Sequence, residues 1–124
     1  MYKLMIVDDE QIVIDAVTLI ISKNIKNVTV VATARNGREA IEKVKVNHPE
    51  IILMDIRMPG INGIDAIAEI KRIYSDIRFA IISAYEQFEF AKQAMELGVE
   101  HYILKPINRT VLIETILKMI SQIH

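Results

Sequence analysis

Short continuous apolar runs alternate along the chain with longer amphipathic stretches. Leu4-Met5-Ile6-Val7, Ile51-Ile52-Leu53-Met54 and Phe79-Ala80-Ile81-Ile82 are each too short for a helix. Val28 to Ala34 and Tyr102-Ile103-Leu104 are weaker runs of the same kind. Unalternating runs of this length suit strands buried on both faces, as in a parallel sheet. Thr29 and Thr33 mark the Val28–Ala34 run as the more exposed edge.

Between the runs the period changes to that of a helix. The first such stretch spans Gln11 to Lys23. After Gly37, Ala40, Ile41 and Val44 fall on one face. Ile64, Ile67, Ile70 and Tyr74 form a second stripe, and Phe90, Ala94 and Leu97 a third. Ile113, Ile116, Leu117 and Ile120 form the last. Asn62 with Asp65 three residues on reads as an N-cap with an acidic first turn, and Asn108 as the cap of the last helix. Gly98 after Leu97 reads as a helix-ending glycine. No internal repeat, low-complexity tract or linker interrupts the order, which is strand–helix five times over residues 1–124. Such alternation in a chain of one-domain length predicts an α/β fold, an open parallel sheet with helices on both faces.

Composition narrows the function. Apolar residues make up 52% of the 124, enough for a sizeable core, and the net charge of −1 argues against nucleic-acid binding through bulk basicity. There is no cysteine, which excludes disulfides, thiolate metal sites and cysteine nucleophiles. No apolar run approaches the ~18 residues of a membrane helix, and Met1-Tyr2-Lys3 is not followed by a signal-peptide core. The expectation is a cytoplasmic domain without a membrane partner.

The chemistry is concentrated at the strand ends. The first run ends in Asp8-Asp9, the third in Asp55, the fourth in Ser83 and the fifth in Lys105-Pro106. In an open α/β sheet, ligands sit outside the carboxyl ends of the strands, where strand order reverses. Each residue alone has a plain reading as a turn, cap or solvated group. Three carboxylates, a hydroxyl and an ammonium on one rim are harder to dismiss. Carboxylates ~4 Å apart repel by about 1 to 4 kcal/mol per pair, so the cluster must protonate, spread or bind a cation. An oxygen-only donor set suits Mg²⁺. With Lys105 and the Ser83 hydroxyl it resembles a clamp on a dianionic phosphoryl group, leaving one carboxylate as nucleophile.

These residues resemble the receiver domain of two-component response regulators. The strings Ile-Val-Asp-Asp-Glu at 6–10, Leu-Met-Asp-Ile-Arg-Met-Pro-Gly at 53–60 and Tyr-Ile-Leu-Lys-Pro at 102–106 match it in order and spacing. The resemblance implies a flavodoxin-like fold, a (βα)5 three-layer sandwich with strand order 2-1-3-4-5. It implies Asp55 as phosphoacceptor, Asp9 and Asp55 as direct Mg²⁺ ligands, Asp8 acting through a water, and the Arg57 backbone carbonyl as a further oxygen. Lys105 would pair with phosphoryl oxygens, Ser83 would donate to them, and Tyr102 holds the switch-aromatic position. A cis peptide before Pro106 is also implied. The partner implied is a sensor histidine kinase. A homodimer on phosphorylation stays open, and DNA would be reached only through an output domain that this chain does not contain. The Ser83–Lys92 segment resembles receivers that precede AraC-type helix-turn-helix domains. Val111 and Thr115 stand where the winged-helix branch carries pairing charges, which counts against dimerisation of that type.

Plainer readings accompany these. Tyr102 also suits an ordinary half-buried strand aromatic, and Pro59-Gly60 is a turn. His48, His101 and His124 lack metal-ligand spacing, and Lys43, Lys45, Lys71 and Arg72 read as solvated helix faces. An Mg²⁺-dependent phosphatase using an aspartyl phosphate is the alternative function. Adjacent aspartates after the first strand do not fit the Asp-x-Asp of haloacid dehalogenase-type phosphatases. A flavin site would need small and hydroxyl residues where Asp8-Asp9-Glu10-Gln11 stands.

Overall fold

The computed structural model describes residues 1–84 and 88–123. Five strands alternate with five helices: β1 (Tyr2–Val7), α1 (Gln11–Asn24), β2 (Val28–Ala34), α2 (Gly37–Asn47), β3 (Ile51–Asp55), α3 (Gly63–Ile73), β4 (Arg78–Ser83), α4 (Phe88–Glu96), β5 (His101–Leu104) and α5 (Arg109–Ser121). The sheet is parallel in the order β2-β1-β3-β4-β5. The expected strands, fold class and strand order are all present. Of the Ser83–Lys92 segment, Tyr85, Glu86 and Gln87 lie outside the described residues, as does His124.

The continuous apolar runs work because both faces of the sheet are covered. Met5, Val7, Ile52, Met54, Phe79 and Ile81 point into a core with α2, α3 and α4. The alternate positions Leu4, Ile6, Ile51, Leu53, Ala80, Ile82 and Ile103 point into a second core with α1 and α5. Period-two alternation is thus present but invisible in the hydropathy, since neither face meets water. Leu53 is fully buried, and truncating such a side chain to alanine costs about 2–5 kcal/mol.

The helix stripes hold with one correction. In α5 the core takes Leu112, Ile116, Met119 and Ile120, while Ile113 is half-buried and Leu117 is 48% exposed. Leu117 lies too far round the helix from Leu112 and Ile116 to share their face. The Asn62 and Asn108 caps form, accepting from Asp65 and Val111 N–H, and Asn36 caps α2 in the same way through Glu39. Gly98 takes φ +83 after α4, and its N–H reaches the Met95 carbonyl. His48 ends α2 in the left-handed region at φ 47, a structural role for a residue given none from sequence. The β1–β2 register slips by one residue between Leu4 and Met5, so Val31 has no partner on β1.

Candidate metal and phosphoryl site at the carboxyl edge of the sheet

Strand order reverses between β1 and β3, because the chain moves from β1 out to β2 and then back across to β3. That is the crevice where open α/β sheets place ligands. Asp8 and Asp9 follow β1, and Asp55 ends β3 beside them. Ser83 ends β4, and Lys105 follows β5 with its N–H on the Ser83 carbonyl at 2.8 Å. The rim foreseen from the strand ends therefore assembles.

One carboxylate oxygen from each of Asp8, Asp9 and Asp55 lies within 4.8 Å of the other two. Asp8 and Asp55 are buried, at 1% and 4% exposure, and Ser83 is fully buried. Lys105 Nζ lies 2.9 Å from Asp8 Oδ2, 3.7 Å from Asp55 Oδ2 and 3.2 Å from Glu10 Oε1. The remaining oxygens are partly used. Asp8 Oδ1 accepts from Glu10 N–H and Asp55 Oδ1 from Ile56 N–H, each at 2.9 Å. Asp8 Oδ2 is buried against the Lys105 ammonium at 2.9 Å, the one partner it has among the described residues.

The electrostatics follow from burial. Loss of water raises the Asp55 pKa to about 7, and the neighbouring Asp8 carboxylate pushes it the same way, with Lys105 opposing. Burial also raises Asp8, against the pull of Lys105. Burial lowers the Lys105 ammonium, but Asp8, Asp55 and Glu10 together outweigh it and leave the pKa raised. One lysine thus serves several carboxylates and cannot neutralise them all.

Two side chains complete the foreseen set. Tyr102 is half-buried on β5, packed against the core under α2, α3 and α4. Burial raises its pKa, and a hydrogen bond with Ser83 acts against that. Arg57 lines a shallow cleft with Asp9, Met58, Pro59, Asn62 and Phe90 that opens beside the carboxylates. The peptide before Pro106 is cis, as the resemblance implied.

Two contributors escaped the sequence reading. Glu10 occupies the N-cap position of α1 yet makes no capping bond; its carboxylate goes to Lys105. Its contact spans 95 residues of sequence, which no local pattern reveals. Gly63 is the other. A Cβ there would stand 2.0 Å from the Asp55 carbonyl oxygen and 2.9 Å from Ile56 Cα. Only glycine lets the start of α3 close over the end of β3, where Gly63 N–H bonds the Ile56 carbonyl at 2.7 Å.

The donor set fits a hard divalent cation. It offers carboxylate oxygens from three residues, no nitrogen or sulfur ligand, and an excess of negative charge.

An acidic crevice at the switch point of a five-stranded doubly wound sheet marks a class of signalling module. The chain belongs to the response regulator receiver domain family, whose model matches residues 4–117. Receiver domains bind Mg²⁺ at an acidic pocket and act as signalling modules rather than as true enzymes. The chain is 35% identical over 99% of its length to the uncharacterized transcriptional regulatory protein YesN of Bacillus subtilis, covering 33% of that protein. It is similar to the REC domain of AraT, a response regulator from Geobacillus stearothermophilus, with 29% identity, a TM-score of 0.90, and 98% and 94% of the two chains covered. It is also similar to a chain of the CheX–CheY–BeF3–Mg complex from Borrelia burgdorferi, with 26% identity, a TM-score of 0.84, and 98% and 87% covered. The chain spans between a third and about half of the curated relatives it matches. No helix among the described residues is long and apolar enough to cross a membrane.

Proposed function

We propose that this chain is a phosphorylation-driven switch in which Asp55 accepts a phosphoryl group from a sensor histidine kinase. The observation that carries the reading is the pair of flanks around Asp55: the Asp8 and Asp9 carboxylates on one side and Lys105 Nζ at 3.7 Å on the other. Asp8, Asp9 and Asp55, with the Arg57 backbone carbonyl, would hold Mg²⁺. When bound, the ion supplies positive charge that returns Asp55 to its ionised form and offsets charge on phosphoryl oxygens.

The residues do the rest. An ionised Asp55 oxygen attacks phosphorus; the O–P bond forms as the N–P bond of the phosphohistidine breaks, and its electron pair returns to the imidazole nitrogen. Lys105 leaves Asp8 and Glu10 to pair with phosphoryl oxygens. Ser83 gives up its bond with Tyr102 and donates to the same group. A phosphoryl group adds about −1.5 to −2 charge and several acceptors, so Ser83 has a strong reason to turn. Tyr102 then repositions, changing the surface of α4, β5 and α5. Coupling of this kind is worth about 1–3 kcal/mol, enough to shift a population.

The output we infer is transcriptional, through a further domain of the AraC-type helix-turn-helix class that the Ser83–Lys92 sequence resembles. Support for transcription comes from relatives named as transcriptional regulatory proteins. Intact-mass measurement after incubation with acetyl phosphate and Mg²⁺ tests the site. Wild type should gain one phosphoryl mass and Asp55→Asn none; equal labelling of both would move the acceptor elsewhere.

A further inference from the structure

Arg35 lies at the far end of β2, exposed and outside every motif the sequence offered. Its guanidinium donates twice to one oxygen, the backbone carbonyl of Asp9, from Nε at 3.0 Å and Nη2 at 2.7 Å. That carbonyl lies just before α1, outside the helical ladder, whose first acceptor is the Glu10 carbonyl. Among the described contacts, Arg35 is what ties it to the fold.

Arg35 is itself held. Its N–H donates to Glu39 Oε1 at 2.9 Å, and Glu39 N–H donates to the side chain of Asn36, the N-cap of α2, at 2.8 Å. The preceding residue also reaches the loop, since the Ala34 carbonyl accepts from Asp8 N–H at 3.0 Å. The β2–α2 turn therefore grips both aspartates from one side, Asp8 by main chain and Asp9 by the Arg35 fork. Asp9 needs this more. Asp8 is buried and paired with Lys105, whereas Asp9 is half-buried and lines the open cleft.

We propose that Arg35 is a positioning residue for the Mg²⁺ site, locking the Asp9 main chain so that its carboxylate stays in ligating register with Asp8 and Asp55. The proposal rests on reading those three aspartates as Mg²⁺ ligands. Its sign separates it from simple electrostatics. A guanidinium beside a cation site repels the cation, so if only charge mattered, removing it would tighten Mg²⁺ binding. Positioning demands the reverse, because groups that orient metal ligands typically set affinity by about 10- to 100-fold. Lysine keeps the charge but cannot fork onto one carbonyl.

Calorimetric titration of the whole chain with MgCl2 tests this, using wild type, Arg35→Ala and Arg35→Lys, with melting curves in EDTA alongside. Both variants should bind Mg²⁺ about tenfold more weakly, with EDTA melting temperatures close to wild type. Unchanged or tighter binding by Arg35→Ala overturns the proposal. So does a lowered melting temperature with unchanged Mg²⁺ affinity, which would make Arg35 merely structural. A wild type that takes up no Mg²⁺ would instead overturn the metal reading, and this proposal with it.

Discussion

The two edges of the sheet carry charge differently. At the amino edge, the Arg78 guanidinium donates to the Gln122 carbonyl at 2.9 Å, Glu50 accepts from Lys3 N–H at 2.9 Å, and His101 meets the Gln122 side chain at 3.4 Å. Glu50, Arg78, His101 and Gln122 line an open hollow with Lys71, Asp76 and Glu100, so both signs are mixed and wet. At the carboxyl edge, Asp8, Asp9, Asp55 and Glu10 face Lys105, and two of the carboxylates are buried. The same strands, a few residues apart, thus end in an exposed seam of mixed sign on one side and a buried excess of carboxylate on the other. A fold gains nothing in stability from buried like charges, so the second edge is built for a guest that completes it.

Breaking the carboxyl edge should therefore do more than breaking the amino edge. The largest effect expected is from Gly63→Ala, whose Cβ would collide with the Asp55 and Ile56 main chain. It should cost about 2–4 kcal/mol in urea unfolding, and what folds should label poorly with acetyl phosphate. Next is Lys105→Ala, which strips Asp8 and Asp55 of the ammonium both face. Removing one partner of a buried pair costs about 3–5 kcal/mol, and with Lys105 itself only partly desolvated, roughly 1–3 kcal/mol is the expectation in EDTA. Millimolar Mg²⁺ should recover part of that loss. Arg78→Ala is the control at the opposite edge. It should cost about 0.5–1.5 kcal/mol, one ordinary hydrogen bond, and leave Mg²⁺ affinity unchanged; a shift in affinity would show that the two edges are coupled.

How much of this could be read from the chain depends on range. The strands were legible because a sheet covered on both faces needs apolar runs, and the site because Asp8, Asp9, Asp55, Ser83 and Lys105 each stand directly at a strand end. Caps at Asn62 and Asn108 were legible for the same local reason. What was missed is non-local. Glu10 reaches Lys105 across 95 residues and Arg35 reaches Asp9 across 26, and no periodicity encodes such contacts. Gly63 is an inconspicuous first residue of α3 until β3 is laid against it. The α5 stripe went astray because Leu112, Ile113, Ile116, Leu117, Met119 and Ile120 offer more apolar positions than one face holds. Only packing against β5 and α1 decides that Leu117 faces out.

The central claim is that Asp55 is held as a strained carboxylate in a metal-ready pocket. Its folded pKa lies near 7 against 3.8 for the free side chain. Between those values the folded state binds the proton that the unfolded state releases, so stability is lost as pH rises from about 4 to about 7 and stays lost above. Asp55→Asn removes that penalty while keeping an acceptor for Ile56 N–H. The direct measurement is the melting temperature of wild type and Asp55→Asn in EDTA between pH 5 and pH 8. The variant should melt higher at pH 8, by about 3–5 °C for each kcal/mol or so relieved, and the gap should narrow steadily as the pH falls to 5. A variant that melts lower than wild type at pH 8, or a gap that ignores pH, would contradict the account.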